Sequence, residues 1–155
     1  MAERKSHIIK NIFKATGADL TPIIELNKQF HLDIPNFKWD QAGWIAEEIK
    51  RGTFFVFKDK DLVIGALCLK PGKDELEIET IAIRKDFQGL NHGKTLIQFA
   101  RDEAKRQTKL RLTVESFCSY NLGEFYKKCG FKVDDPPLGY FEDQPYSRFF
   151  MDFPG

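Results

Sequence analysis

Phe87-Gln88-Gly89-Leu90-Asn91-His92-Gly93-Lys94-Thr95 decides how this chain is read. The stretch follows an alternating segment, Glu75 to Ile83, and opens a run in which Leu96, Ala100 and Ala104 recur at helical spacing. A turn poor in bulky side chains at the mouth of a helix is built to hold an anion. The first N–H groups of a helix have no acceptor within it and carry the positive end of its dipole, so a slim loop can wrap them around a phosphate.

Two phosphate loops compete for these residues. Gly89 followed by Gly93-Lys94-Thr95 is similar to the end of a P-loop, but that motif needs four residues between its first glycine and the Gly-Lys pair. Here only Leu90, Asn91 and His92 intervene. The stretch more closely resembles the pyrophosphate loop of the GNAT superfamily of acetyl-CoA-dependent N-acetyltransferases, which reads Gln or Arg, two residues, Gly, one residue, Gly or Ala. Gln88 fills the first position and Gly93 the last, while Asn91 stands where a glycine is usual. Asparagine enters left-handed backbone more readily than other non-glycine residues, so the turn survives the change. Downstream, Glu124-Phe125-Tyr126-Lys127-Lys128-Cys129-Gly130-Phe131 resembles the family's second signature, a helix carrying a Tyr that ends at Gly-Phe and turns into a strand. Ser119 and Leu122 replace the Asn and Ala usual at its start.

A chain of 155 residues has the size of one domain, and 1–155 is expected to form one. With 24 basic and 23 acidic residues interspersed, there is no field to argue for nucleic acid or an anionic membrane. No apolar run reaches the length of a membrane span, and Met1-Ala2-Glu3-Arg4-Lys5 does not lead into a signal-peptide core, so a cytoplasmic protein is expected. Cys68, Cys118 and Cys129 match no metal spacing and fit packed thiols in a reducing compartment; no metal is expected.

The pattern gives strand, two helices, three strands, helix, strand, helix and two strands. The first strand is predicted over 7–14. Ile23, Ile24 and Asn27 mark one helix, and Ala42, Ile45, Ala46 and Ile49 mark another that stops at Gly52. Strands follow at 53–58, 62–69 and 75–83, then a helix at about 93–107 and a strand at 110–115. Residues 134–144, with Pro136-Pro137 and Gly139, are the least regular stretch. A final strand is predicted over 147–153; its Phe149-Phe150-Met151-Asp152-Phe153 alternation suits either the core or an edge for a homodimer. The fold class is therefore α/β (α+β): a central mixed, largely antiparallel sheet of about seven strands flanked by about four helices, in agreement with the GNAT-like fold that the resemblance implies.

The resemblance implies acetyl-CoA as cosubstrate and an amine acceptor. It puts cofactor contacts, mainly main-chain, at Gln88, Gly89, Leu90, Asn91, His92, Gly93 and Lys94. It also implies that the fourth and fifth strands splay, so that pantetheine bonds the main chain around Ile81, Ala82 and Ile83. Glu77 and Glu79 lie one strand period apart and share a face; either fits the base that takes the amine proton, Glu79 with the better reach. Tyr126 fits the general acid for the departing thiolate and a cofactor contact. His92 is expected to be neither base nor ligand. The acceptor is expected beside His31, Asp33 and Tyr146, near Phe37 and Trp39, in a surface of rings and carboxylates suited to a cation. Plainer roles stay open: a solvated sheet face for the glutamates, core packing for Ile81, Ile83 and Tyr126. So do a non-catalytic acetyl-CoA-binding module and an imperfect P-loop nucleotide protein.

Overall fold

A computed structural model describes residues 11–154, with only the backbone of 135–138. The strands are β1 (Ile12–Lys14), β2 (Phe54–Asp59), β3 (Leu62–Pro71), β4 (Glu75–Ile83), β5 (Arg111–Phe117), β6 (Lys132–Phe141) and β7 (Gln144–Asp152), and the helices α1 (Leu20–Lys28), α2 (Ala42–Lys50), α3 (His92–Arg106) and α4 (Gly123–Lys128). The strands form one sheet in the order β1-β2-β3-β4-β5-β7-β6. Only the β4–β5 pair is parallel.

Helices cover both faces. Val63 to Leu69 of β3 are all buried, as expected of a strand between two layers. On one side Ile23, Leu26 and Ile45 of α1 and α2 pack on Phe54, Val56, Val63 and Ala66. On the other, Leu96, Ile97, Ala100 and Ala104 of α3 meet Ile64, Leu76, Ile78 and Leu112, and Tyr126 of α4 joins them.

Four sequence expectations need correction. Of the first strand, 7–10 lie outside the described residues; Asn11 is a left-handed turn at φ 72 and pairing begins at Ile12. In α2 the buried face is Ile45 and Glu48, whereas Ala42 and Ala46 are exposed. Glu48 tolerates burial because Thr53 Oγ1 donates to it at 2.8 Å and Lys70 Nζ lies 3.3 Å away. Residues 134–141 belong to β6 rather than to an irregular loop. This is an edge strand, where proline breaks no ladder on its open side, and the register shifts between Asp134 and Gly139. The hairpin that follows turns on Glu142 and Asp143, both with positive φ (48 and 68). Finally, β7 is not an edge strand: it lies between β5 and β6, with Phe149 and Phe150 paired on both sides.

Candidate active site

The site begins where β4 and β5 part. Their parallel ladder runs from Glu75 opposite Arg111 to Ile78 opposite Val114 and goes no further, although β4 continues to Ile83 and β5 to Phe117. The resulting gap opens a cleft of about 810 Å³. Main-chain direction in the gap follows from the β3 register. Arg84 N–H donates to Ile64 C=O at 2.8 Å, and the antiparallel alternation then turns Ala82 toward β3 and the main-chain groups of Ile81 and Ile83 toward the gap. Ile83 C=O is taken by Gln88 Nε2 at 3.1 Å, which leaves the Ile81 groups and the Ile83 N–H for a guest.

A bulge sits at the same place. Cys68 pairs with Thr80 and Leu69 with Ile78, so Glu79 is an extra residue in β4. It reverses the alternation: Leu76 and Ile78 face the α3 layer before it, Ile81 and Ile83 after it. Glu77, Glu79 and Thr80 thereby all come to the opposite face, and all three line the cleft. Glu79 Oε2 accepts the Trp39 indole N–H at 2.8 Å. Glu77 has no hydrogen-bonded partner of its own among the described residues. Burial first, then the charges of Glu79 and Glu115, push its carboxyl up from 4.5 to about 7.

The loop after β4 makes the far end. Gly89 has φ 83 with open space where a Cβ would stand, and Asn91 is left-handed at φ 68. The position where the family pattern has glycine thus does require positive φ, and asparagine meets that requirement. His92, Gly93 and Lys94 form the first turn of α3, so their N–H groups lack acceptors within the helix. A slim left-handed turn, unpaired N–H groups and an unpaired strand edge together fit a pyrophosphate with an extended arm. A Cβ on Gly93 would lie 3.0 Å from Phe125 Cζ, so this glycine also lets α3 approach α4.

Tyr126 lines the cleft from α4 although only 1% of it is exposed. Its ring packs on Phe149 at 4.9 Å and Phe131 at 5.7 Å. Burial holds its phenol protonated well above the ordinary range, against the opposing hydrogen bond to Ser116.

Of the other expected contacts, Ile81, Ala82, Ile83, Gln88, Gly89, Asn91, His92, Gly93, Lys94 and Tyr146 line the cleft. Leu90 points outward, 60% exposed. The His92 ring stands edge-on to Phe57 at 5.2 Å. His31 and Asp33 are not in the wall: His31 Nδ1 turns to the buried Asp40, 2.6 Å away, and Asp33 is exposed. The sequence reading missed Phe117, Tyr120, Phe141, Glu115 and Asn27, all in the wall. Their places, in β5, the turn after it, β6 and α1, carried no motif at those positions. Two buried wall atoms, Asn27 Oδ1 and Thr80 Oγ1, have no hydrogen-bond partner among the described residues. Those residues hold no cluster of His, Cys, Asp and Glu able to ligate a metal, and none of their helices is long and apolar enough to cross a membrane.

Solved structures share this architecture. Ard1 from Thermoplasma volcanium superposes with a TM-score of 0.79 at 16% identity, over 96% of this chain and 100% of that one. A ribosomal-protein-alanine N-acetyltransferase from Brucella melitensis gives 0.73 at 17%, over 92% and 99%. The PaiA N-acetyltransferase from Thermoplasma acidophilum, in complex with coenzyme A, gives 0.68 at 23%, over 88% and 96%. A search of curated protein sequences returns no match. Residues 50–133, more than half of the chain and including both signatures, match the family described as Acetyltransferase (GNAT) domain. The chain belongs to the GNAT family of acetyltransferases.

Proposed function

We propose that residues 1–155 form one cytoplasmic acetyl-CoA-dependent N-acetyltransferase domain that acts on a primary amine by direct attack in a ternary complex. The observation that carries this reading is the convergence, in one cleft, of an unpaired strand edge, a left-handed anion turn, a carboxyl near 7 and a buried phenol. Three unpaired cysteines suit a reducing compartment.

Acetyl-CoA supplies the acyl group as a thioester. The loop N–H groups from Gly89 to Lys94 hold its pyrophosphate, and the Ile81 and Ile83 main chain orients its arm. An N–H at Ile81 faces the acyl oxygen and stabilises charge developing there. Glu77 takes a proton from the ammonium, whose ordinary pKa is about 10.4, directly or through one water. Its own value near 7 keeps it half-ionised at neutral pH and able to release the proton again. Glu79, anchored by Trp39, supplies the fixed negative charge that holds the ammonium and keeps Glu77 basic. As the N–C bond forms and the C–S bond breaks, the attacking nitrogen gives its second proton to solvent, and the Tyr126 hydroxyl gives its proton to the sulfur and regains one from solvent.

Thermal unfolding with and without acetyl-CoA, beside ATP with Mg²⁺, tests the reading. A ligand at about a hundred times its dissociation constant adds roughly 2.7 kcal/mol. Stabilisation by acetyl-CoA alone, with thiol release that depends on an added amine, is expected. Binding without turnover across an amine panel would point to a non-catalytic module, and stabilisation by ATP alone would sink the proposal.

A further inference from the structure

Trp39 fixes two acceptors in the wall of the cleft. Its indole N–H donates to Glu79 Oε2 at 2.8 Å, and its C=O accepts from Asn27 Nδ2, also at 2.8 Å. The second bond settles which way the Asn27 amide faces, because turning it over would set its oxygen against a carbonyl. Asn27 is only 6% exposed, yet its Oδ1 has no hydrogen-bond donor among the described residues. Thr80 Oγ1, on the residue after Glu79, is a buried atom in the same position, and both residues line the cleft. Buried polar atoms in native proteins are paired as a rule, so a ligand that fits this corner brings hydrogen-bond donors. Thr80 can accept or donate; Asn27 Oδ1 can only accept.

The carboxylates decide what charge that donor carries. Glu77, Glu79 and Glu115 all line the cleft. A neutral N–H on one oxygen takes no charge from Glu79, while Arg148 Nη2, 3.4 Å from Glu115, offsets one of the three. The cations of the wall are Lys94 and Lys128, on α3 and α4; Lys38 Nζ stands 5.7 Å from the Trp39 ring centroid and 5.9 Å from that of Trp44, outside the wall. With Glu77 ionised, two negative charges therefore face the acceptor. A monoamine meets one of them. The other stays unmatched, and it is still unmatched after Glu77 has taken the proton of the attacking nitrogen.

We propose that the acceptor is a short diamine: one nitrogen is acetylated beside Glu77, and the other, kept as an ammonium, is held by Glu79, Asn27 Oδ1 and Thr80 Oγ1. The inference rests on the acetyltransferase reading. An ammonium carries three N–H donors, which matches these three acceptors. Its bond to Glu79 is charge-assisted, and the Trp39 ring between Glu79 and Asn27 favours a cation.

Binding is measured by calorimetric titration into the protein saturated with coenzyme A, which permits no turnover. Putrescine is compared with butylamine, and cadaverine with pentylamine and aminopentanol, so that each set differs only at the far end of the chain. In at least one set the diamine is expected to bind tenfold or more tightly than its monoamine. Ratios below tenfold in both sets overturn the proposal. Aminopentanol bound as tightly as cadaverine also overturns it, since the corner would then suit a neutral donor. Thr80→Val removes one acceptor, keeps the side-chain shape and breaks no hydrogen bond that Thr80 Oγ1 makes within the described residues. It should cut the diamine-to-monoamine ratio at least threefold and leave the monoamine within twofold; an unchanged ratio would mean that these oxygens hold water and would sink the idea. Should the variant not fold, the ratios in the unaltered protein decide. Thiol release is followed separately. A diamine bound with the expected preference but never acetylated would refute the enzyme reading and leave the ligand class standing.

Discussion

Replacing Glu79 by Gln separates the roles of the two glutamates. Glutamine keeps the side-chain oxygen that accepts the Trp39 N–H, so the 2.8 Å contact and the bulge persist while one negative charge leaves. Glu77 rises from 4.5 to about 7 through burial first, then Glu79, then Glu115, with Glu75 last and Lys70 opposing. Since burial is the largest contribution and several carboxylates share the rest, Glu79 accounts for at most about one pH unit, or roughly 1.4 kcal/mol. The assay is kcat/KM for the amine against pH at fixed acetyl-CoA. The acidic limb, near 7 in the unaltered enzyme, should move down by up to about one unit in Glu79→Gln, with a loss of about tenfold or less on the plateau from the weaker hold on the ammonium. Glu77→Gln should instead remove the limb and cost about a hundredfold or more on the plateau above pH 7, the gap narrowing as pH falls. Loss of the limb in Glu79→Gln, with Glu77→Gln nearly normal, would refute the assignment and make Glu79 the base.

Tyr126→Phe retains the ring that packs on Phe131 and Phe149, so unfolding in denaturant should shift by only about 1 kcal/mol while kcat falls about a hundredfold; equal losses in stability and rate would mean a packing role alone. At the left-handed Asn91, Gly should keep coenzyme A affinity within about twofold, whereas the β-branched Asn91→Val should cost about 1–2 kcal/mol of stability and weaken binding, both read by denaturant titration with and without coenzyme A. The raised Glu77 carboxyl also makes stability depend on pH. Its folded-state value lies above the unfolded one, so its favourable contribution is complete below about 4.5 and is lost as pH rises through about 7. Glu77→Gln should therefore stabilise the fold at pH 8 by about 1–2 kcal/mol, after allowance for a half-exposed site, and by nothing at pH 4; a destabilised variant at pH 8 would contradict the burial argument.

The sequence carried what lies in consecutive residues and lost what tertiary contact assembles. The phosphate turn was legible because a left-handed position, a slim approach and a helix mouth all fall within Gln88 to Lys94, and each narrows the residue types allowed there. The same holds for Glu77 and Glu79, although the bulge that adds Thr80 to their face could not be foreseen: an extra residue in β4 shows only against the register of β3. Periodicity misled in α2, where Ala42 and Ala46 repeat as a core face would but the polar Glu48 is buried beside Ile45, because Thr53, just past the helix, and Lys70, from β3, reach its carboxylate. Proline misled in β6, since its penalty depends on whether the strand is central or at an edge, which topology decides.

The aromatic wall of the cleft is the extreme case. Phe37 and Trp39 come from the α1–α2 loop, Phe117 from the end of β5, Tyr120 from the turn after it and Phe141 from the last residue of β6. The resemblance pointed to Phe37 and Trp39, but no local rule links them to Phe117, Tyr120 and Phe141. Their meeting follows from the splay of β4 and β5, which opens the space, and from the β6–β7 hairpin, whose Glu142 accepts a hydrogen bond from Asn36 Nδ2 of the α1–α2 loop at 2.7 Å. A phosphate turn can therefore be readable in one nine-residue stretch while the ring wall of the same cleft is assembled by side chains from separate elements. The solved structures at 16–23% identity share the fold, and a shared fold does not by itself fix which side chains meet in the cleft.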